Sequence, residues 1–242
     1  SNEISKRGVE KLRFCATSAT RDAQNRDEFI NGVSQRLGVE PEVISGNEEA
    51  ALSFLGATFS LPRKIAPYLV IDIGGGSTEF VFGTEGVESA KSVNIGCVRM
   101  TERHFKNDPP TKSEIENARI DIKAAIDSAA REVPITKATS LIAVAGTATT
   151  VAAAALDLSE YDRHAIHLSR ISSEKVHEIS EKFLTMNREE RLGLGYMHPG
   201  RADVIAAGSL VLSEILKATH VSEFIASESD ILDGMAYTLA SN

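Results

Sequence analysis

The sequence has no tryptophan, and nine phenylalanines and four tyrosines supply all of its aromatic side chains. It is short of the ring platforms on which single-stranded nucleic acids stack. Positive charge is scarce too: 26 Lys and Arg face 34 Asp and Glu, a formal net charge of −8. That balance argues against a broad nucleic-acid or anionic-membrane surface, so an anionic ligand has to find a local site. The two cysteines, Cys15 and Cys97, lie far apart without CxxC or Cys/His metal spacing. A disulfide framework or structural zinc is therefore not expected, and a reduced, cytoplasmic setting is. Long apolar runs are missing. The richest, Ala143 to Leu156, is short and interrupted by Gly146, Thr147, Thr149 and Thr150, so no membrane span and no signal peptide are expected. What remains is ordinary: 42% hydrophobic, 25% charged, 17 Gly and 7 Pro in 242 residues, a chain for one large or two small globular domains.

Apolar spacing orders the elements. Lys11 to Ala16 reads as a strand, Arg21 to Leu37 as a helix, Glu42 to Ser45 as a second strand and Gly46 to Thr58 as a second helix, with Ser45 and Glu48 as its capping box. The run Leu61 to Pro67 carries two prolines and sets a boundary between residues 1–62 and 63–242. Beyond it, Tyr68 to Ile73, Thr78 to Phe82 and Val87 to Ile95 form a three-strand meander. A helix opened by Ser113 and Glu116 runs to about Val133. A buried strand follows at Leu141 to Ala145, then a helix from Thr147 and helical stretches at Ser173 to Met186, Arg188 to Leu192 and Arg201 to Thr219. Phe224 to Ala226 and Ile231 to Leu239 close the chain as strand and helix. The second part thus reads βββαβαβα with inserted helices. The first reads βαβα, like the back half of the second, as though its opening strands and helix were missing.

The segment Asp72-Ile73-Gly74-Gly75-Gly76-Ser77-Thr78-Glu79 joins two of these strands. Consecutive glycines let several N–H groups converge on an oxyanion, and an ordinary glycine-rich hairpin is the competing reading. Asp72 ends an apolar run, where a carboxylate needs a cation or hydrogen-bond donors; oxygen ligands suit magnesium. Walker, GxGxxG and GxSxG patterns do not fit. Gly146 and Thr147 follow a buried strand and open a helix, a place for a second phosphate or simply for close packing. Thr17, Ser18 and Arg21 sit where the first strand meets its helix; Arg21 either pairs with phosphate or is solvated. In the 46–58 helix Glu48 belongs to the cap. Glu49 does not, and points about 100° away, where it either orients or deprotonates a water or is simply solvated. Arg99, Arg103 and Arg201 offer local positive charge, although Arg201 and Asp203 can pair with each other. His164 and His167 lack the companions of a metal site.

Taken together, ATSATRDAQN (16–25), ISGNEEA (44–50), DIGGGSTEF (72–80), NIGCVR (94–99), AGTATT (145–150) and GRADVIAAG (200–208) resemble the exopolyphosphatase and guanosine pentaphosphate phosphatase family, within the actin-like, sugar-kinase-like and heat-shock-chaperone-like ATPase folds. The resemblance covers essentially the whole chain. It implies an α/β architecture of two ribonuclease-H-like domains flanking a cleft, the first incomplete. It also implies magnesium- or manganese-dependent hydrolysis of a terminal phosphoanhydride of polyphosphate or guanosine pentaphosphate, and a homodimer. By the same likeness Glu49 activates water, Asp72 and Glu79 stand near the metal, with Glu79 also catalytic, and Gly74, Gly75, Gly76, Ser77 and Thr78 form a phosphate loop. Arg21, Thr17 and Ser18 face the cleft, and Gly146 and Thr147 match the nucleotide-facing loop of related kinases. The family's first phosphate loop has no counterpart here, nor do its C-terminal extensions, so the chain reads as a short form. A non-catalytic polyphosphate or alarmone sensor and a kinase-like phosphotransferase are the rival readings.

Overall fold

In a computed structural model, which describes residues 2–17, 20 and 23–240, the N-terminal stretch is thinly built. A short helix α1 (Asn2–Lys6) precedes β1 (Cys15–Ala16), helix α2 (Arg26–Leu37) and β2 (Glu42–Val43). The strands pair in parallel as a small sheet of their own. Each is shorter than its apolar run suggests, because each has only the other as a hydrogen-bonding partner among the described residues. Helix α2 begins later than expected and buries none of its residues.

Helix α3 (Gly46–Thr58) has the expected bounds. Only half of its expected capping box forms. Ser45 Oγ accepts from the Glu48 N–H at 3.2 Å, but the Glu48 carboxylate turns to Arg13 at 2.6 Å, where a charged partner outcompetes the helix start.

The meander appears as β3 (Tyr68–Ile73), β4 (Thr78–Gly83) and β5 (Val87–Val93), all antiparallel. Helices α4 (Cys97–His104) and α5 (Lys112–Ala130) lead to β6 (Ser140–Val144), which lies parallel to β3 and runs into α6 (Ala145–Ala155). Helix α5 is capped by a reciprocal box of Thr111 and Glu114, not by Ser113 and Glu116. Both pairs have the required spacing; the extended Thr111, just after Pro110, is the first that can start the helix. Then come α7 (Arg163–Ile166), β7 (Arg170–Ser172), α8 (Ser173–Thr185), α9 (Arg188–Leu192), α10 (Ile205–Thr219), β8 (Glu223–Ala226) and α11 (Ile231–Ala240). The unforeseen strand is β7, whose single apolar residue, Ile171, gives no readable alternation.

The main sheet has six strands in the order β5-β4-β3-β6-β8-β7, with β3, β6 and β8 parallel and β7 antiparallel at the edge. Both of its faces are covered, which is why residues 68–71 of β3 and 141–144 of β6 are continuously apolar. Leu69, Ile71 and Ile73 face a core shared with α5, α6 and α10, while Tyr68 and Val70 face Ala50, Phe54 and Ala57 of α3. Helix α3 also crosses α11 at very close range. A Cβ on Gly56 would overlap the Asp230 carbonyl, and one on Gly234 would overlap the Leu52 carbonyl. This crossing fixes the start of α3 against the segment that follows β8. The architecture is mixed α/β. No described helix is long and apolar enough to cross a membrane.

Candidate active site at the carboxyl edge of the sheet

Strands β3, β6 and β8 deliver their C-terminal ends to one edge, where open α/β sheets bind ligands. There β3 leads into the Gly74–Ser77 turn, β6 into Ala145 and Gly146, and β8 into Ser227–Asp230.

The triple-glycine turn is anchored through its carbonyls. Gly74 O accepts from Cys97 N at 2.9 Å, and Gly75 O accepts from Val98 N and Arg99 N at 2.9 and 3.0 Å. Arg99 Nε donates to Gly76 O at 2.6 Å. These contacts cap α4, so the helix start itself has little left for an anion. The amides of Gly75, Gly76 and Ser77 find no protein acceptor among the described residues, and Gly75 and Gly76 are exposed. Thr78 is fully buried and donates to Ile95 O at 3.1 Å, bracing the turn.

Acidic groups gather beside this turn. Asp72 pairs with Glu79 in the β3–β4 register. Burial first, then the charges of Glu79, Asp230 and Glu49, push the Asp72 carboxyl up to about 7. Burial likewise raises Asp230. Glu49 and Glu79 line one cleft of about 310 Å³ together with Asn47, Lys91 and Ser92, and Ser92 Oγ donates to Glu79 at 2.7 Å. Among the described residues no three ligating groups stand close enough to hold a metal ion unaided.

On the other flank, Ala145 takes φ +65° to turn β6 into α6. The expected strand therefore ends one residue early, at Val144, and the helix begins before Thr147. A left-handed alanine costs roughly 1 kcal/mol, a strain typical of ligand edges. Gly146 is the base of a stack: a Cβ there would lie 2.6 Å from Arg201 Cζ. Arg201 does not pair with Asp203, which is held by Arg188 at 2.5 Å. It donates to Thr150 Oγ1 at 3.2 Å and rests 5.7 Å from the Tyr161 ring centroid. Thr147 is buried, its hydroxyl close to Gly208 and to the Cys97 thiol, which burial pushes up.

Thr17 follows β1 just as Ser45 and Gly46 follow the parallel β2. Ser18 and Arg21 lie outside the described residues. Arg103 pairs with Asp121. His167 accepts from Glu228 N at 3.2 Å, anchoring a loop. The sequence reading missed Asp230, Glu228 and Tyr161. The acidic run Ser227–Asp230 directly after the last strand was the available signal for the first two, since parallel strands share one ligand edge.

The chain matches the model of the Ppx/GppA phosphatase family over residues 3–242. It is 43% identical over 241 residues to Exopolyphosphatase 2 of Mycobacterium tuberculosis, spanning 96% of this chain and 76% of that protein. It is 29% identical to the guanosine-5'-triphosphate,3'-diphosphate pyrophosphatase of Vibrio cholerae, spanning 96% of this chain and 45% of that protein. Among solved structures, an exopolyphosphatase-like protein matches with a TM-score of 0.93 and 46% identity, covering 99% of this chain and 80% of that one. The Aquifex aeolicus Ppx/GppA protein matches with a TM-score of 0.85 and 29% identity, covering 100% and 78%. The mixed α/β fold is thus that of the Ppx/GppA structures, which are of the actin-like ATPase type. A match running from end to end, in sequence and in structure, places this chain in the Ppx/GppA phosphatase family, whose members hydrolyse phosphoanhydrides.

Proposed function

We propose that this chain removes the terminal phosphate of inorganic polyphosphate by hydrolysis, and that guanosine pentaphosphate, which offers the same kind of bond, is a second substrate. The observation that carries this reading is the convergence of Glu49 and Glu79 on one cleft, with Asp72 electrostatically coupled to both and the unpartnered amides of Gly75, Gly76 and Ser77 in the turn that joins the strands of Asp72 and Glu79. Those amides suit the terminal phosphoryl oxygens, which gather charge as the bond to the leaving phosphate breaks. Glu49, at the edge of the same cleft, aligns water for in-line attack and takes its proton. Thr78 holds the amide turn rigid from below. Arg201 adds a cation on the Gly146 side, the direction in which the rest of a polyanion extends.

Asp72 fits a divalent cation. A carboxyl crowded by three other acids and pushed up to about 7 is stabilised in its charged form by a positive partner or by hydrogen-bond donors. Asp72 and Glu79 are the residues that would hold magnesium or manganese. Magnesium is commonly held by one or two carboxylates with water and substrate phosphate completing the shell, a number that Asp72 and Glu79 can supply. The ion, when bound, supplies charge neutralisation at the terminal phosphate. The test is phosphate release from polyphosphate by Glu49→Gln. A drop of about 100-fold or more in kcat with KM little changed supports the role, and unchanged turnover rejects it.

A further inference from the structure

The guanidinium of Arg201 has no carboxylate partner among the described residues, yet it is held firmly. It lies over Gly146, donates to Thr150 Oγ1 at 3.2 Å and has the Tyr161 ring beneath it at 5.7 Å. Tyr161 is itself locked. Its oxygen is 2.5 Å from Glu228 Oε1 and 2.6 Å from Thr149 Oγ1. A phenol has one proton and a carboxylate only accepts, so the Tyr161 O–H donates to Glu228 and the Thr149 hydroxyl donates to the phenol oxygen. The charge of Glu228 is matched by Arg163 Nε at 2.9 Å. The segment carrying Tyr161 is pinned at both ends by residues in the left-handed region, Asp157 (φ +51°) and Leu168 (φ +61°), and Leu168 N donates to Ala226 O at 2.7 Å, at the end of β8.

From this geometry we infer that Tyr161 is a positioning residue for substrate: its ring, clamped by Glu228 and Thr149, fixes the unpaired Arg201 cation against the Gly146 turn, where it meets the bound polyanion. The aromatic face holds the guanidinium without neutralising it, as a carboxylate would. The consequence is charge kept available on an edge whose other flank is crowded with acids. The inference rests on the polyphosphate reading above, and it assigns Tyr161 a share in affinity and none in bond breaking.

The test is a mutant cycle read two ways, by phosphate release from polyphosphate and by calorimetric binding of tripolyphosphate, which needs no turnover. Tyr161→Leu is expected to raise KM and Kd about 5- to 10-fold with kcat within about twofold, and Tyr161→Phe, which keeps the ring face, about twofold. In an Arg201→Gln background, Tyr161→Leu adds less than about twofold. Equal effects in both backgrounds, or a fall in kcat with KM unmoved, overturn the inference. Where Tyr161→Leu does not fold, Glu228→Gln, which releases the clamp on the ring, is expected to raise Kd about 5-fold and takes its place in the cycle under the same criterion. If the unmodified chain binds tripolyphosphate without releasing phosphate, the hydrolytic reading fails and the Kd cycle alone decides the role of Tyr161. If it does not bind at all, both fall.

Discussion

Two acidic neighbourhoods in this molecule have opposite characters. Around the start of α5, Glu114 receives N–H groups from Thr111 at 2.7 Å and from Lys106 at 2.7 Å, and these bonds, the one from Thr111 foremost, hold its carboxyl down at about 2. Nearby, the buried Arg191 reaches Asp108 at 2.6 Å and the carbonyls of Ala202 and Met186 at 2.7 Å each. Glu114, Asp108 and Arg191 each have partners. At the carboxyl edge of the sheet Asp72 is surrounded by burial and by other acids and rises to about 7, while Arg201 meets only neutral groups. The first neighbourhood spends its charges on holding the fold. The second leaves Asp72 and Arg201 without an opposite charge beside them, the arrangement expected of a site for a cation and an anion.

Removing the best-matched charge is expected to cost the most stability. Arg191→Ala leaves the carbonyls of Ala202, Met186 and Phe183 and the carboxylate of Asp108 without their donor and should lower unfolding free energy by roughly 3–5 kcal/mol, read by urea denaturation.

The crowded edge should behave in the opposite sense. The Asp72 carboxyl is raised in the folded chain above its ordinary value near 3.8, so between about pH 4 and 7 the folded state holds a proton that the unfolded state has released. Stability must then fall as pH rises through that window, by up to roughly 4 kcal/mol, and stay low above it. Asp72→Asn is expected to flatten this slope, to melt at or above the unmodified chain at pH 8 in chelator, and to abolish phosphate release. A slope that survives the substitution would remove the contrast.

Glu114 gives the smallest effect and the reverse sign. Its depressed carboxyl stabilises the fold above about pH 4, and the gain is lost as pH falls toward 2. Glu114→Gln should lower the melting temperature by a few degrees at pH 7 and make no difference near pH 2.

Much of the second region was legible in the residues. Three apolar runs with two short glycine-bearing turns specified the meander, and the position of Asp72 at the end of an uninterrupted apolar run marked it as an expensive charge. Separating Glu49 from the capping residue Glu48 rested on helix geometry alone, and Glu49 does reach the cleft, although Glu48 leaves the cap for Arg13. Other features had no local signature. Strand β7 carries a single apolar residue. At the β6–α6 junction the left-handed position falls on Ala145 and not on the adjacent Gly146, which instead leaves room for Arg201 to lie against it.

The sequence by itself determined the periodic elements, their order and the turn chemistry, because hydrophobic spacing and glycine or proline placement act over a few residues. Only the tertiary structure decided which charges meet. Asp230 comes to Asp72 from more than half the chain away, and Arg201 settles between Gly146 and Tyr161 although Asp203 is its near neighbour in sequence. Such pairings follow from sheet order and from the glycine-to-backbone crossing of α3 and α11, and the Coulomb interactions they set depend on distance through space, which sequence separation does not record.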